Sequence, residues 1–473
     1  MDNTTVDKRS VLLVATVAAF LAPFMGSSVN VALPTIGRQF GLDAANAGDT
    51  IILTWVTTAY LLVVAMSLVP LGRMADIYGR RRLFLYGVSV YGFSTILSAA
   101  STSIRMLIAC RAVEGLGGAM IFGSSTAILI SVFPPAERGK VLGINVAAVY
   151  VGLSAGPFLG GLLTQHLGWR SIFLATMPLA VLILLLALWK LRGEWAEARC
   201  ERFDYAGAAI YGAALVSLMY GISRLMEGPG PYLALAGVGG LAAFIWWEAR
   251  AKSPVLDLAL FRHNPVFAFS SLAAFLNYSA TYAVTFLVSL YLQYVKALTP
   301  QQAGLVLVAQ PVVQASLSPL TGRLSDRVEP RIVASAGMGL TAAGVLLLTS
   351  LSEGTPLAFI VASLVFLGLG FALFSSPNTN AAMSAVERKR YSVASGILGT
   401  MRSTGQMFSM GLVMLVFAIH MGTTKAAGAD YGLLVGSIRI AFGIFAVLCT
   451  FGIFASLSRG KMRREQPAAE EPR

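Results

Sequence analysis

Long apolar runs separated by short polar stretches organise this chain from residue 11 to residue 458. A helix needs about 20 mostly apolar residues to cross the hydrocarbon of a bilayer. Fourteen runs meet that length: 11–33, 49–71, 83–102, 104–132, 141–165, 171–190, 204–224, 230–249, 266–292, 303–321, 332–352, 355–376, 393–421 and 434–458. Strands of this length are not expected, and the alternation of a membrane barrel is absent. The pattern predicts an all-α integral membrane protein. The first run is too long for a signal-peptide core and has no clear small-residue cleavage site, so it is expected to remain as the first span.

Composition agrees. The chain has 473 residues, of which 56% are hydrophobic and only 12% charged, with a mean hydropathy of +0.73. Soluble domains carry about 25% charged residues, so a soluble enzyme, a disordered chain and a secreted disulfide scaffold are all disfavoured. The formal charge of +13 does not point to nucleic acid, because the basic residues are not gathered into one stripe. They cluster in alternate connections, as cytoplasmic loops do. Arg73, Arg80, Arg81, Arg82, Arg138, Lys140, Arg388, Lys389 and Arg390 fall on one side. Arg38, Arg105, Arg170, Arg224, Lys296, Lys425 and Arg439 fall on the other. This bias predicts that both termini are cytoplasmic. It would hold equally if the 204–249 hairpin did not insert, but both of its runs are long enough to cross. Cys110, Cys200 and Cys449 offer no disulfide framework.

An internal repeat divides the chain. PLGRMADIYGRRR from Pro70 is echoed by PLTGRLSDRVEPR from Pro319, which sets Gly72, Arg73 and Asp76 opposite Gly322, Arg323 and Asp326. GLGGAMIFGSS from Gly115 is echoed by GLGFALFSSPN from Gly368. Two repeated halves are the build of transporters that rock one bundle against another around a central site. The expected organisation is a cytoplasmic N-terminus (1–10) and a six-helix bundle (11–190), then a linker with two extra spans (191–265). A second six-helix bundle (266–458) and a disordered cytoplasmic tail (459–473) complete it.

These motifs resemble the major facilitator superfamily, in particular its fourteen-span drug:proton antiporter branch, over nearly the whole chain. The resemblance rests on GRMADIYGRRR at 72–82, the Arg111-Ala-Val-Glu-Gly-Leu-Gly-Gly run, GLSAGPFLGG from Gly152 to Gly161, NVALP at 30–34, SSPNTNAA from Ser375 and ASGILGTMRSTGQ from Ala394. It implies the major facilitator fold and no enzymatic activity. It also implies that Gly72, Arg73, Asp76, Gly79 and Arg80 form a gate motif, with Asp326 in the mirrored role. In that motif Asp76 would latch onto the start of span 13 near Ser392. There is one departure: the branch commonly has an Asp five residues before the Asn of NVALP, and here that residue is Met25.

Local chemistry suggests several roles. Gly152, Gly156 and Gly160 recur every four residues and form a bare stripe on one helix face. With Pro157 and Gly161 this allows close helix approach; the resemblance adds control of alternating access to the packing role. Only Arg111, Glu114 and Arg402 lie deep within spans, where a charge is expensive and usually faces a partner or a wet cavity. Arg111 and Glu114 are three apart and near enough to pair. Glu114 is equally the best candidate proton carrier, with Arg111 tuning it, and Asp49 at a span end is an alternative proton-uptake site. Candidates for a midplane substrate cavity are Ser27, Asn30, Trp55, Tyr60, Asn277, Tyr278, Tyr282, Gln310, Gln314, Asn378, Arg402 and Gln406. Each of these could instead make interhelical hydrogen bonds. His166, His263 and His420 sit at span ends or in loops, and no zinc, nucleotide-binding or nucleophile motif stands in a believable place. No metal and no cofactor are expected.

The expected activity is export of small amphipathic compounds across the cytoplasmic membrane by a monomer using the inward proton gradient. A metabolite or siderophore exporter on the same scaffold, not coupled to protons, is the alternative. A membrane-embedded enzyme or sensor would need a catalytic cluster or an output domain that the loops do not provide.

Overall fold

The computed structural model describes residues 7–43, 46–191, 193–196, 202–226, 228–251, 254–256, 258–387, 391–421 and 431–460. Its first half comprises α1 (Lys8–Gln39), α2 (Ala47–Tyr78), α3 (Arg80–Ala99), α4 (Ile104–Val132), α5 (Pro135–Leu167) and α6 (Arg170–Lys190). A hairpin of α7 (Tyr205–Ser223) and α8 (Gly230–Glu248) follows, then the short α9 (Ala259–His263). The second half comprises α10 (Pro265–Leu290, extended by one wide turn to Val295), α11 (Pro300–Leu307), α12 (Ala309–Arg327), α13 (Pro330–Leu348), α14 (Leu357–Ser384), α15 (Tyr391–His420) and α16 (Gly432–Ser458). The tail expected from 459 onward lies, from residue 461, outside the described residues.

Among the described residues, thirteen helical segments are long and apolar enough to cross a membrane. The protein is therefore a multi-pass integral membrane protein. α3 is not one of the thirteen. It is 20 residues long but begins with three arginines and carries Ser89, Ser94 and Thr95. Those hydroxyls return to carbonyls one turn back, at 2.9, 2.9 and 2.8 Å, so their polarity is satisfied within the helix. Tyr86 and Phe93 point outward from the same helix.

The span expected at 303–321 is two helices. Pro311 has no N–H to donate to Leu307, and its ring crowds that carbonyl, so α11 ends there and α12 restarts. Thr299 and Gln302 form a reciprocal cap at the start of α11.

The halves repeat one packing scheme. In the first, α1 lies against α5 and α6, α2 against α4, and α3 against α4 and α6. In the second, α10 lies against α15 and α16, α12 against α14, and α13 against α14 and α16. Across the seam α2 meets α15, α5 meets α11 and α12, and α1 meets α10. Exchanging the halves maps these pairings onto one another, as expected for parallel repeats. The α7–α8 hairpin rests by α7 on both α2 and α15. Outward faces carry Leu185 and Trp189 on α6, Leu235 and Trp246 on α8, and Phe451 and Phe454 on α16.

Candidate functional site: the seam between the halves

The end of the molecule where α1 starts is called here the near end, and the end where α1 finishes the far end. The far end is closed by contacts that cross the seam. Gln293 Nε2 donates to the Val31 carbonyl at 2.8 Å, and Tyr294 donates to the Pro34 carbonyl at 3.3 Å. The Arg38 guanidinium lies 5.5 Å above the Tyr294 ring. Gln301 donates its backbone N–H to Gln165 at 3.2 Å and meets His166 at 3.2 Å.

Glycines set the closeness of this seal. A Cβ on Gly161 would sit 2.5 Å from the Pro300 carbonyl oxygen, and one on Gly304 would strike the Pro157 carbonyl. α5 and α11 thus approach backbone to backbone. The other face of α5 is bare as well: a Cβ on Gly152 would lie 2.6 Å from the Phe20 carbonyl, and one on Gly160 would lie 2.6 Å from Ser28 Cβ. A Cβ on Gly156 would meet Phe24 at 2.8 Å and collide with Ser27. Gly152, Gly156 and Gly160 therefore face α1, whereas Gly161 and Pro157 face the other half.

Toward the near end, the gate residues gather at the α2–α3 corner. Arg80 is buried and pairs with Asp76 at 2.7 Å, and it also reaches Ser131. Asp76 is thus engaged within its own half. Gly79 occupies the corner at φ 122°, a conformation that favours glycine. A Cβ there would clash with Glu194 at 2.5 Å. Glu194 accepts from the Arg81 N–H at 2.9 Å and lies 3.6 Å from Arg82, while the Trp195 carbonyl accepts from the Arg80 N–H at 2.9 Å. The segment after α6 therefore caps the first turn of α3, where a carboxylate is favoured. Gly72 lies against Gly123, 3.4 Å from its would-be Cβ, where α2 crosses α4. Arg73 is partly buried one residue on. Asp326 lies in the last turn of α12, and its side chain is outside the described set. Asp76→Asn should lower transport by about tenfold through loss of a charge-assisted contact, compared at matched membrane abundance because buried Arg80 loses its carboxylate. Transport equal to the parent at equal abundance would refute the gate role.

Between these ends lies the charged pair. Arg111 and Glu114 are both fully buried, 2.8 Å apart. Arg111 Nε donates to the Val56 carbonyl at 3.3 Å, and its guanidinium stands 4.5 Å from the Tyr60 ring centre. Tyr91 of α3 flanks the carboxylate. Gly115, Gly117 and Gly118 let α4 press onto Tyr60 of α2 and Tyr91 of α3, which excludes water from the pair. Asp49 is not near it. It lies in the first turn of α2 and accepts from the Asp43 N–H at 3.0 Å, closing the far-end loop.

The cavity candidates separate. Asn30 accepts from Thr57 at 3.1 Å and lies beside Tyr282, so α1, α2 and α10 meet there. Tyr278, Arg402 and Gln406 are half-buried at the seam. Ser27 donates to Pro23 at 2.8 Å within α1 and packs against Gly156 of α5. Trp55 turns away from the centre, its ring 6.5 Å from Tyr220 of α7. Asn378 donates to Ser270 at 3.0 Å inside the second half. Asn277 and Gln314 are buried, and the Gln310 carbonyl abuts Gly368 of α14. Residues not singled out from the sequence include Tyr91, Thr57, Gln293, Gln301 and Tyr150. Only Glu194 carried a signal, as an acid following the basic Lys190 and Arg192.

The sequence profile described as Major Facilitator Superfamily matches residues 15–297 and 270–473. This chain belongs to that superfamily. It is 34% identical over 406 residues to "Multidrug resistance protein Stp" of Mycobacterium tuberculosis, covering 84% of this chain and 73% of that one. It is 25% identical over 453 residues to "Riboflavin transporter RibZ" of Clostridioides difficile, covering 95% and 97%. Among solved structures, that of a D-xylose-proton symporter superposes with a TM-score of 0.68 at 14% identity, covering 95% of this chain and 97% of that one. The superfamily is one of transporters rather than enzymes, and its members handle small molecules within the membrane.

Proposed function

We propose that this superfamily member is a proton-coupled exporter of small amphipathic compounds in the cytoplasmic membrane. It would work as a monomer with fourteen spans, α3 included, and with the near end and both termini in the cytoplasm. The observation that carries the coupling is the buried Arg111–Glu114 pair. Glu114 is the one carboxyl deep within the spans, and a carboxylate held by a guanidinium takes up a proton when the guanidinium turns to another partner. Arg111 has such alternatives at hand in the Val56 carbonyl and the Tyr60 ring. The similarity to Stp supports export, and the positive-inside bias supports the orientation. In that orientation the sealed far end would be external. The proton gradient would supply the energy.

Everted membrane vesicles test this reading. A fluorescent amphipathic dye should accumulate in them under an imposed pH gradient, and an uncoupler should abolish that accumulation. The double variant Arg111→Gln/Glu114→Gln, which leaves no stranded charge, should pass the dye only down its own gradient. Accumulation by the double variant that still follows the pH gradient would remove the pair from the mechanism.

A second reading is uncoupled transport of a metabolite. It is favoured by the complete burial of Glu114 in the state described and by similarity to a riboflavin transporter along nearly the whole chain. Equilibration of the compound down its own gradient, with no accumulation and no response to the uncoupler, would select it.

A further inference from the structure

Three ionisable charges lie deep in the spans, and they do not cancel. Arg111 and Glu114 neutralise each other. Arg402 has no carboxylate within ion-pair distance among the described residues. Its neighbours include the Phe122 ring, 6.0 Å from the guanidinium, Tyr278 and Tyr60. A guanidinium at that depth is costly unless it faces a partner or an open path.

The residues around Arg402 and its neighbour Tyr278 come from both halves. Phe122 of α4 faces Arg402, while Tyr150 of α5 and Phe371 and Ser375 of α14 lie about Tyr278 of α10. The Tyr278 and Phe371 rings meet edge to face at 5.4 Å. Tyr150 and Ser375 share a hydrogen bond across the seam at 2.9 Å. Arg402, Tyr278, Phe122 and Ser375 are all half-buried, not sealed. Arg402 lies eleven residues into α15 and Tyr278 thirteen into α10, which places both at a depth of about 17–20 Å along their helices.

We propose that this layer recognises substrate and that its substrates are aromatic amphipathic anions. A carboxylate or sulfonate would be held by the Arg402 guanidinium through charge-assisted hydrogen bonds. The attached ring would lie among Phe122, Tyr278 and Phe371, where offset or edge-on aromatic contacts are favourable. A cation here finds no carboxylate to neutralise it and meets the positive field of Arg402 in a medium of low dielectric. This assignment rests on the exporter reading and narrows its substrate class.

Dyes of opposite charge test the assignment on the full chain in everted vesicles, with fluorescein as the aromatic anion and ethidium as the aromatic cation. The parent should accumulate fluorescein in preference to ethidium. Arg402→Gln should lose fluorescein uptake by about tenfold or more, and Arg402→Lys should keep most of it, at equal membrane abundance and melting temperature. A parent that takes up ethidium but not fluorescein, or fluorescein uptake unchanged in Arg402→Gln, overturns the anion assignment and leaves the exporter reading standing. If neither dye accumulates nor shifts the melting temperature of the purified protein, the exporter reading falls and this assignment falls with it.

Discussion

Gly304→Ala should lower transport by about tenfold or more without removing the protein from the membrane. The new methyl would be driven into the Pro157 carbonyl, which is backbone and cannot swing aside as a side-chain tip would. Overfilling of a close contact costs about 1–3 kcal/mol. Here that cost falls only on the conformation in which α5 and α11 touch. The equilibrium between the two access states should therefore move by about tenfold or more toward the one with the far end open. A thiol introduced at Val31, which is fully buried in the seal, reads this directly. Labelling by a membrane-impermeant maleimide should be slow while Gly304 is kept and about tenfold faster once the Gly304→Ala substitution is added. Equal labelling rates and normal transport would show that the glycine contact does not govern the seal. Gly161→Ala, aimed at Pro300 from the opposite side of the same contact, should behave in the same way.

The second large effect concerns stability. Breaking a buried ion pair by removing one partner costs about 3–5 kcal/mol, because the other charge is left without compensation. Arg111 and Glu114 are both at zero exposure, so each single substitution should lower the melting temperature and membrane yield sharply. The two losses should differ. Glu114→Gln strands a guanidinium that stays charged at any accessible pH, whereas Arg111→Gln strands a carboxyl that can be neutralised by a proton. Glu114→Gln should therefore be the more damaging, and the double variant should recover most of the loss. A double variant as unstable as the sum of the two singles would mean that the residues act independently, contrary to their 2.8 Å contact.

Much of the architecture was legible because a bilayer constrains sequence so strongly. Backbone groups in hydrocarbon must be satisfied within helices, so long apolar runs announce them. The positions of Gly152, Gly156 and Gly160 foretold a close contact, though not that α1 would fill it. Where the sequence misled, the cause was in some places local and in others distant. Pro311 did carry the signal for the break after Leu307, but the apolar run through it masked the break. Trp55 reads as a cavity residue by its place near Tyr60, yet five residues along a helix is a turn and two fifths, enough to aim the ring elsewhere. Asp49, expected as a proton-uptake site at a span end, accepts from the Asp43 N–H and so ties the far-end loop. Glu194 and Trp195 stand in a connection without periodicity, and nothing in their spacing tells that they bind the start of α3 more than a hundred residues earlier.

The hairpin of α7 and α8 makes the two flanks of the seam unlike. On one flank α7 bridges α2 and α15, with Tyr211 donating to the Ala65 carbonyl at 3.4 Å and Met219 set against Gly411. The α5–α12 flank has no such cover among the described residues. A lipid-soluble compound approaching sideways from within the leaflet meets a shutter on the first flank and bare helices on the second. Lateral admission in the proposed transport cycle would thus be one-sided, and rocking of the halves would require the hairpin to slide over one partner.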